Sequence, residues 1–403
     1  MPPGTKGCLV AAAIWIMILS ALAVAAKFFL LPYFRKDLED KTGSESRYQH
    51  EITLALDSFS GYAVLRSPAL KEDLKLQGIK LNLQDDGADY EKRMAALNRH
   101  QVDLAVFTVD SFLRAGAPLE HYPGTIVLVI DETRGADAMV AYREAVATLQ
   151  DLNHPDARIV LTPSSPSEFL ARTVIAHFNL PLLPARWWEE EAGAAAVYQK
   201  FAAADRKARK AYVLWEPYVG KALEIPGAQL LLDSSRLKGY IVDVLVADRN
   251  FLRDRPELVQ TFLAAYFRAA FGCTRSPASL EQLVRDDATA TGSEALTEDQ
   301  SKRLVNGILW KNTLENYVHF GLSADPATGS LPHLEDIIGN IMEVLVKTGT
   351  LKHDPTAGQV NTLFYDKALK SLRDADFHPG KKLGVVENLG PGTAELDTVR
   401  SEA

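Results

Sequence analysis

Short apolar runs alternate with amphipathic stretches along most of this chain. EITLALD, residues 51–57, reads as a strand, GYAVLRSPALKEDLKL as a helix interrupted near Ser67 and Pro68, and GIKLNLQ as a second strand with every-other-residue alternation. DYEKRMAALNRH has helical spacing, and VDLAVF is a third strand. A βαβαβ order implies a parallel sheet covered by helices, with ligands meeting the loops at the carboxyl ends of the strands. In GTIVLVIDETRGADAMVAY the apolar pattern breaks at Asp131–Gly135, so the chain is expected to change structural unit there. A second alternating block follows: ARIVLTP as a strand, SSPSEFLARTVIAHF as a helix, a helix over about 193–206, the strand AYVLWEP, and two strands around a polar turn in 228–247. Two α/β lobes result. Beyond Asp248 the pattern turns helical, with Asp254 the expected cap of a helix whose apolar face carries Leu258, Val259, Phe262 and Tyr266, and with further helices near 297–315 and 333–347.

Ahead of these blocks, residues 8–26 (CLVAAAIWIMILSALAVAA) carry no charge and as a helix would span about 28 Å, close to the hydrocarbon thickness of a bilayer. Apolar character resumes after Lys27 in FFLLPYF, which favours an uncleaved anchor. A cleaved signal peptide is the alternative, with Lys6 as its basic start and small residues near Ala23 as the cleavage site. Positive charges flank the segment on both sides and do not choose its orientation. A polar tether, 35–50, leads to the soluble body.

The chain has 403 residues and a formal charge of -8. It has no long basic run, which argues against nucleic acid as a partner. Cys8 and Cys273 are the only cysteines and are unsuited to pair, and the nine histidines show no His-x-x-x-His spacing, so no metal site or cofactor is expected. The sequence lacks a G-x-S-x-G elbow, a phosphate-binding G-x-x-x-x-G-K-[ST] loop, a G-x-G-x-x-G turn and an H-E-x-x-H pair. No catalytic residue is assigned and an enzyme is not expected. The acidic neighbours Asp85–Asp86 and Glu189–Glu190 read as solvated.

Four polar clusters follow directly on expected strands. DSFSGY offers the hydroxyls of Ser58 and Ser60 beside Gly61; TVDS places Thr108, Asp110 and Ser111 after the third strand. SSPSE combines an N-cap Ser165, Pro166 in the first turn and Glu168 three residues on, a capping box, with Ser164 and Ser167 as further hydroxyls. Helix starts attract anions, but Glu168 supplies its own carboxylate and weakens that pull. In WEP, Trp215 can stack on a solute and Glu216 can accept hydrogen bonds; a core tryptophan beside a helix start is an equal reading.

The ordered set DSFSGYAVL, VDLAVFTVDSFL, IVLVIDETRGADAMVA, LWEPYVGKAL and YIVDVLVADRNFLRDRPELV resembles the nitrate-, sulfonate-, taurine- and thiamine-precursor-binding family of ABC transporter solute receptors, over about residues 50–275. The resemblance implies an α/β, two-lobed periplasmic-binding-protein fold with two crossovers: lobe 1 from 50–134 and 237–275, lobe 2 from 135–236. To this the chain adds the N-terminal membrane anchor (1–34), the linker, a helical C-terminal extension (276–380) and a tail (381–403). By position it implies a solute held between the lobes by Ser58, Phe59, Ser60, Gly61, Thr108, Asp110, Ser164, Ser165, Trp215, Glu216 and Asp243, with hinge closure. A small polar or anionic solute, ABC permease subunits and the membrane are the implied partners. The place is the bacterial inner membrane with the soluble part in the periplasm, or the periplasm after cleavage. Pyrimidine-synthesising relatives use a cysteine-rich iron motif that two lone cysteines cannot supply. An envelope sensor or scaffold whose C-terminal helices bind a partner is the other reading.

Overall fold

The computed structural model describes residues 48–292, 295–323 and 331–380. The expected anchor over 1–34, nearly all of the linker, and the tail over 381–403 lie outside the described residues. Among the described residues no helix is long and apolar enough to cross a membrane. Two units are distinguished by compactness. In one, described over 48–51 and 75–80, the amides of Gln49 and His50 donate to the Gly78 carbonyl and Lys80 lies 3.4 Å from Glu51. The other, Ile52–Leu74 with Leu81 onward, contains every residue of the candidate site.

The alternation in the first block becomes β1, His50–Leu56. A turn of 3-10 helix at Ser60–Tyr62 leads into α1, Ala63–Arg66, and α2, Pro68–Leu76. The two helices part at Ser67, held extended at ψ 146° because the proline ring that follows excludes the helical conformation. Then come β2 (Ile79–Asp85), α3 (Tyr90–Asn98), capped by the Asp89 side chain accepting from Lys92 N, β3 (Leu104–Thr108), α4 (Val109–Gly116) and β4 (Gly124–Thr133). The polar residues Asp131–Thr133 do not end this strand, as their pattern suggests. Their backbone is paired on both sides, and only Arg134–Ala136 breaks the ladder before β5, Asp137–Tyr142.

A second sheet grows from β5: β6 (Arg158–Leu161), α5 (Pro166–His177), β7 (Trp188–Glu190), α6 (Gly193–Ala202), β8 (Lys210–Trp215), α7 (Tyr218–Leu223) and β9 (Ala228–Asp233). Its order is β7-β6-β8-β5-β9, with β6 parallel to both neighbours and β5 antiparallel to both of its own. Val140, Tyr212, Phe201 and Val197 form part of its core, where the rings of Tyr142 and Phe201 stack at 4.6 Å.

The chain then re-enters the first sheet as β10, Val242–Asp248. This strand lies between β3 and β4 and is antiparallel to both, whereas β1 and β3 run parallel. The βαβαβ pattern implied a purely parallel sheet. The returning strand makes it mixed, an insertion from far along the chain that local periodicity does not reveal. The chain thus leaves the first sheet once and returns once.

After β10 come α8 (Arg249–Asp254), α9 (Pro256–Cys273), α10 (Pro277–Ala290), α11 (Glu298–Asn306), the short strand β11 (Ile308–Trp310), α12 (Thr313–His319), α13 (Leu334–Lys347) and α14 (Lys367–Asp374). Asp254 does not cap α9. Arg255 holds the N-cap position without a side-chain bond, Asp254 pairs with Arg253 at 2.8 Å, and Asp248 caps α8 instead. The extension is not wholly helical either: β11 pairs antiparallel with β4 and covers the edge of the first sheet, giving the order β11-β4-β10-β3-β1-β2.

Immediately after β11, Lys311 is 2% exposed and its Nζ lies 3.1 Å from Glu132 Oε2. Burial pushes the Glu132 carboxyl up, but Arg134, Lys311 and the Gly239 amide outweigh it and hold the group below its ordinary value. Lys311→Met leaves a buried carboxylate short of its partner and is expected to lower stability by about 3 kcal/mol. The shift in urea midpoint checks this; a loss below about 0.5 kcal/mol would show that β11 is not fastened through this pair.

Candidate functional site

The carboxyl ends of β1 and β3 and the two crossovers converge on one cavity. From the first sheet come Asp57 and Phe59 after β1, Tyr62, Tyr90 at the start of α3, Thr108 and Thr133 at the ends of β3 and β4, and Ile241 and Asp243 from the return. Asp137 of β5, Pro166 of α5 and Trp215 at the end of β8 form the other wall. The enclosed space is about 10 Å³, room for about one water molecule.

Each wall is built from local necessities. Asp57 accepts from the Phe59 amide at 2.9 Å and from Arg93 Nη2 at 2.8 Å. Arg93 is 1% exposed, stands against the ring of Tyr90, also bonds both oxygens of Asp86, and donates to the Val106 carbonyl. Asp86 is therefore not a solvated neighbour of Asp85, and Glu189 bonds Lys210 at 2.7 Å. Arg66 donates to the Phe59 carbonyl at 2.7 Å and grips Asp287 of α10 through Nε at 2.7 Å. Gly61 is required by close approach: a Cβ there would sit 2.4 Å from the Phe59 ring and 2.6 Å from Asp131 Oδ2. The Gly61 carbonyl accepts from Trp310 Nε1 at 2.8 Å, which ties the loop to β11.

The electrostatics are dominated by carboxyl groups. Asp131 and Asp243 are direct cross-strand partners, both essentially unexposed. Burial pushes both up, and the neighbouring Asp131 carboxyl raises Asp243 further. Tyr62 donates its hydroxyl to Asp243 Oδ1. Asp137 is pushed up to about 7 by burial, although Thr133 Oγ1 donates to it at 2.7 Å. Asp110, also about 7, is raised by burial against the opposing effects of Thr108 and Arg114.

Of the residues expected to hold a solute, Phe59, Thr108, Trp215 and Asp243 line this cavity. Trp215 is half-buried and sits opposite Asp137 across β8 and β5. Ser60, Gly61 and Asp110 are buried neighbours in sequence of lining residues but do not line it, and Ser58 is exposed. Ser164 lines a separate cavity with Gly87, Glu91 and Thr162. Ser165 is occupied locally, its Oγ donating to the Thr162 carbonyl at 2.6 Å and accepting from Ser167 N at 3.2 Å. Glu216 turns to α7, where Oε2 accepts from Gly220 N at 3.0 Å; burial pushes it up to about 7. Sequence reasoning missed Asp57, Tyr62, Tyr90, Asp131 and Asp137. The available signal was an acid within an apolar strand, a costly placement unless the group is used.

Two sheets joined by two crossovers, with a cavity lined from both, define a periplasmic-binding-protein fold. No family model matches the chain, and no curated protein matches it. Among solved structures it is similar to the alkanesulfonate-binding protein SsuA from Xanthomonas axonopodis pv. citri, bound to MOPS, with 17% identity over 75% of this chain and 95% of that one and a TM-score of 0.58. The ligand-binding component of an ABC-type import system from Staphylococcus aureus, with zinc bound, matches at 14% identity over 80% of this chain and 98% of that one, TM-score 0.58. The aliphatic sulphonate-binding protein SsuA from Escherichia coli matches at 15% over 80% and 99%, TM-score 0.54. At these identities the likeness establishes the fold they share.

Carboxyl groups raised on folding bind protons that the unfolded chain has released, so stability falls as pH rises from about 5 towards 7 and levels off above the folded-state values. Asp110→Asn removes one such group and is expected to flatten the slope by up to about 1.4 kcal/mol per pH unit in that window. Urea denaturation at half-unit pH steps measures this, and an unchanged slope would mean that Asp110 is ionised in the folded protein.

Proposed function

We propose that this chain is the solute-binding component of an ABC-type uptake system, held to the bacterial inner membrane by residues 8–26, with its described part in the periplasm. The observation that carries this reading is the cavity whose walls belong to different sheets. A guest held there bridges both halves, and only the two crossovers need bend for it to enter. Space for about one water means that the halves stand closed, so entry requires opening. The likeness in fold to ABC import receptors supports the same conclusion. On this reading, Phe59 and Trp215 supply contact surface, Thr108 and Asp243 supply hydrogen bonds, and a permease receives the solute from the closed form.

A solute that binds only the folded protein adds about 2.7 kcal/mol at a hundredfold excess over its Kd, a rise of several degrees in Tm. Screening the full chain in detergent against sulfonates, nitrate, phosphate, taurine, pyrimidines and amines is expected to reveal at least one such solute. Trp215→Ala is expected to weaken it tenfold or more while circular dichroism stays unchanged. If no compound raises Tm, or the variant binds as well as the parent, the cleft is not a solute site and the sensor or scaffold reading takes its place.

A further inference from the structure

We propose that the cleft selects a small organic cation bearing an ammonium or amidinium group, with Asp243 and Asp137 as its acceptors and Trp215 and Phe59 as its aromatic contact. This rests on the receptor reading above and specifies its solute. Among the described residues no Lys or Arg lines the cavity, whereas Asp57, Asp137 and Asp243 do. Arg93 is already shared between Asp57 and Asp86, and Lys311 is committed to Glu132. An anion entering this space meets carboxyl groups and no available cation, whereas a cation meets its complement.

Independent observations point the same way. Asp243 lines the cavity at 1% exposure, and its Oδ2 has no hydrogen-bond partner, nor has either oxygen of Asp131 behind it. Such atoms call for N–H donors, which an ammonium or amidinium supplies and a sulfonate lacks. The rings of Phe59, Tyr62, Tyr90 and Trp215 line the same space, and aromatic faces attract cations. The start of α5, where an anion would otherwise be welcome, is already taken. Glu168 accepts from the Ser164 amide at 2.8 Å and pairs with Arg172 at 2.7 Å and with Arg114.

A cation against Asp243 favours its ionised form, which burial and the neighbouring Asp131 disfavour. The groups facing Asp243 and Asp131 include Asp137, Glu132, Lys311, Tyr62, Tyr90 and Tyr266. Affinity is therefore expected to rise with pH. Calorimetric titration of the full chain with methylammonium and benzamidinium, against methanesulfonate and benzenesulfonate as size-matched anions, tests the proposal at pH 6 and pH 8 in buffers of different ionisation heat. The expected result is binding of at least one cation, at least tenfold tighter than its matched anion, strengthening about tenfold from pH 6 to 8 with proton release. Asp243→Asn, which removes one member of a buried carboxyl pair, is expected to weaken that cation tenfold or more and to reduce the pH dependence to the part carried by Asp137; Asp137→Asn gives an independent check. Tighter binding of a sulfonate, or of a neutral solute from the broad panel with neither cation bound, overturns the cation assignment and leaves the receptor reading standing. Cation binding indifferent to both substitutions overturns the site. Failure of every compound of either charge overturns both readings.

Discussion

Carboxyl groups drawn out of water where the two sheets meet are the constraint around which the rest of this molecule is arranged. Asp131 and Asp243 occupy opposed positions on β4 and β10, strands buried along their whole length. Burial pushes both groups up, Asp57 is paired with Arg93, and Asp137 is pushed towards its protonated form. The returning strand β10 therefore does two things at once. It completes the first sheet, and it delivers the acid that faces Asp131.

The C-terminal extension grips the two halves unequally. On the first sheet it adds β11, buries Lys311 against Glu132, bonds the Gly61 carbonyl through Trp310, and pairs Asp287 with Arg66. On the second its contacts include Gln300 to Glu224 at 2.9 Å and Arg303 to Glu224 at 3.7 Å, where Arg303 and Glu224 are both more than two-fifths exposed. Exposed pairs of that kind contribute about 0–1 kcal/mol, against several for a buried one. On the proposed hinge reading, opening at the crossovers would break the weak set and spare the strong one, so the extension would move with the first sheet and the Phe59–Gly61 loop.

Period-two and helical patterning made the two α/β blocks and most of their elements legible, because one buried face repeats every second or every third to fourth residue. The mixed strand directions were not legible, since β10 enters between β3 and β4 from more than a hundred residues away and local pattern carries no trace of a partner. DETRGAD looked like a strand breaker for the same reason: Glu132 is tolerable in β4 because Lys311 meets it in space, and burial pushes the Asp131 carboxyl up. Thr108 and Trp215 line the cavity at strand ends, where loops converge, whereas Phe59 and Asp243 came only from the family resemblance. Ser165 and Glu216 carried the same signal, yet their polar atoms serve the starts of α5 and α7. A hydroxyl or carboxylate before a helix satisfies orphan amides first, and its type alone does not separate a cap from a ligand contact.

The likeness to sulfonate receptors is one of fold, and it says nothing about the charge of a solute. In a two-sheet closure the backbone places strand ends and crossovers, whereas the sign of the site comes from the side chains that those positions carry. Here three groups that could offer a positive field near the cleft are already matched. The amino end of α5 holds Glu168, Arg93 holds Asp57 and Asp86, and Lys311 holds Glu132. What is left facing inward is acceptor oxygen and aromatic ring. On the proposed reading, the fold needs no change of backbone to take the opposite charge, because pairing cations internally leaves acidic and aromatic groups facing the cavity.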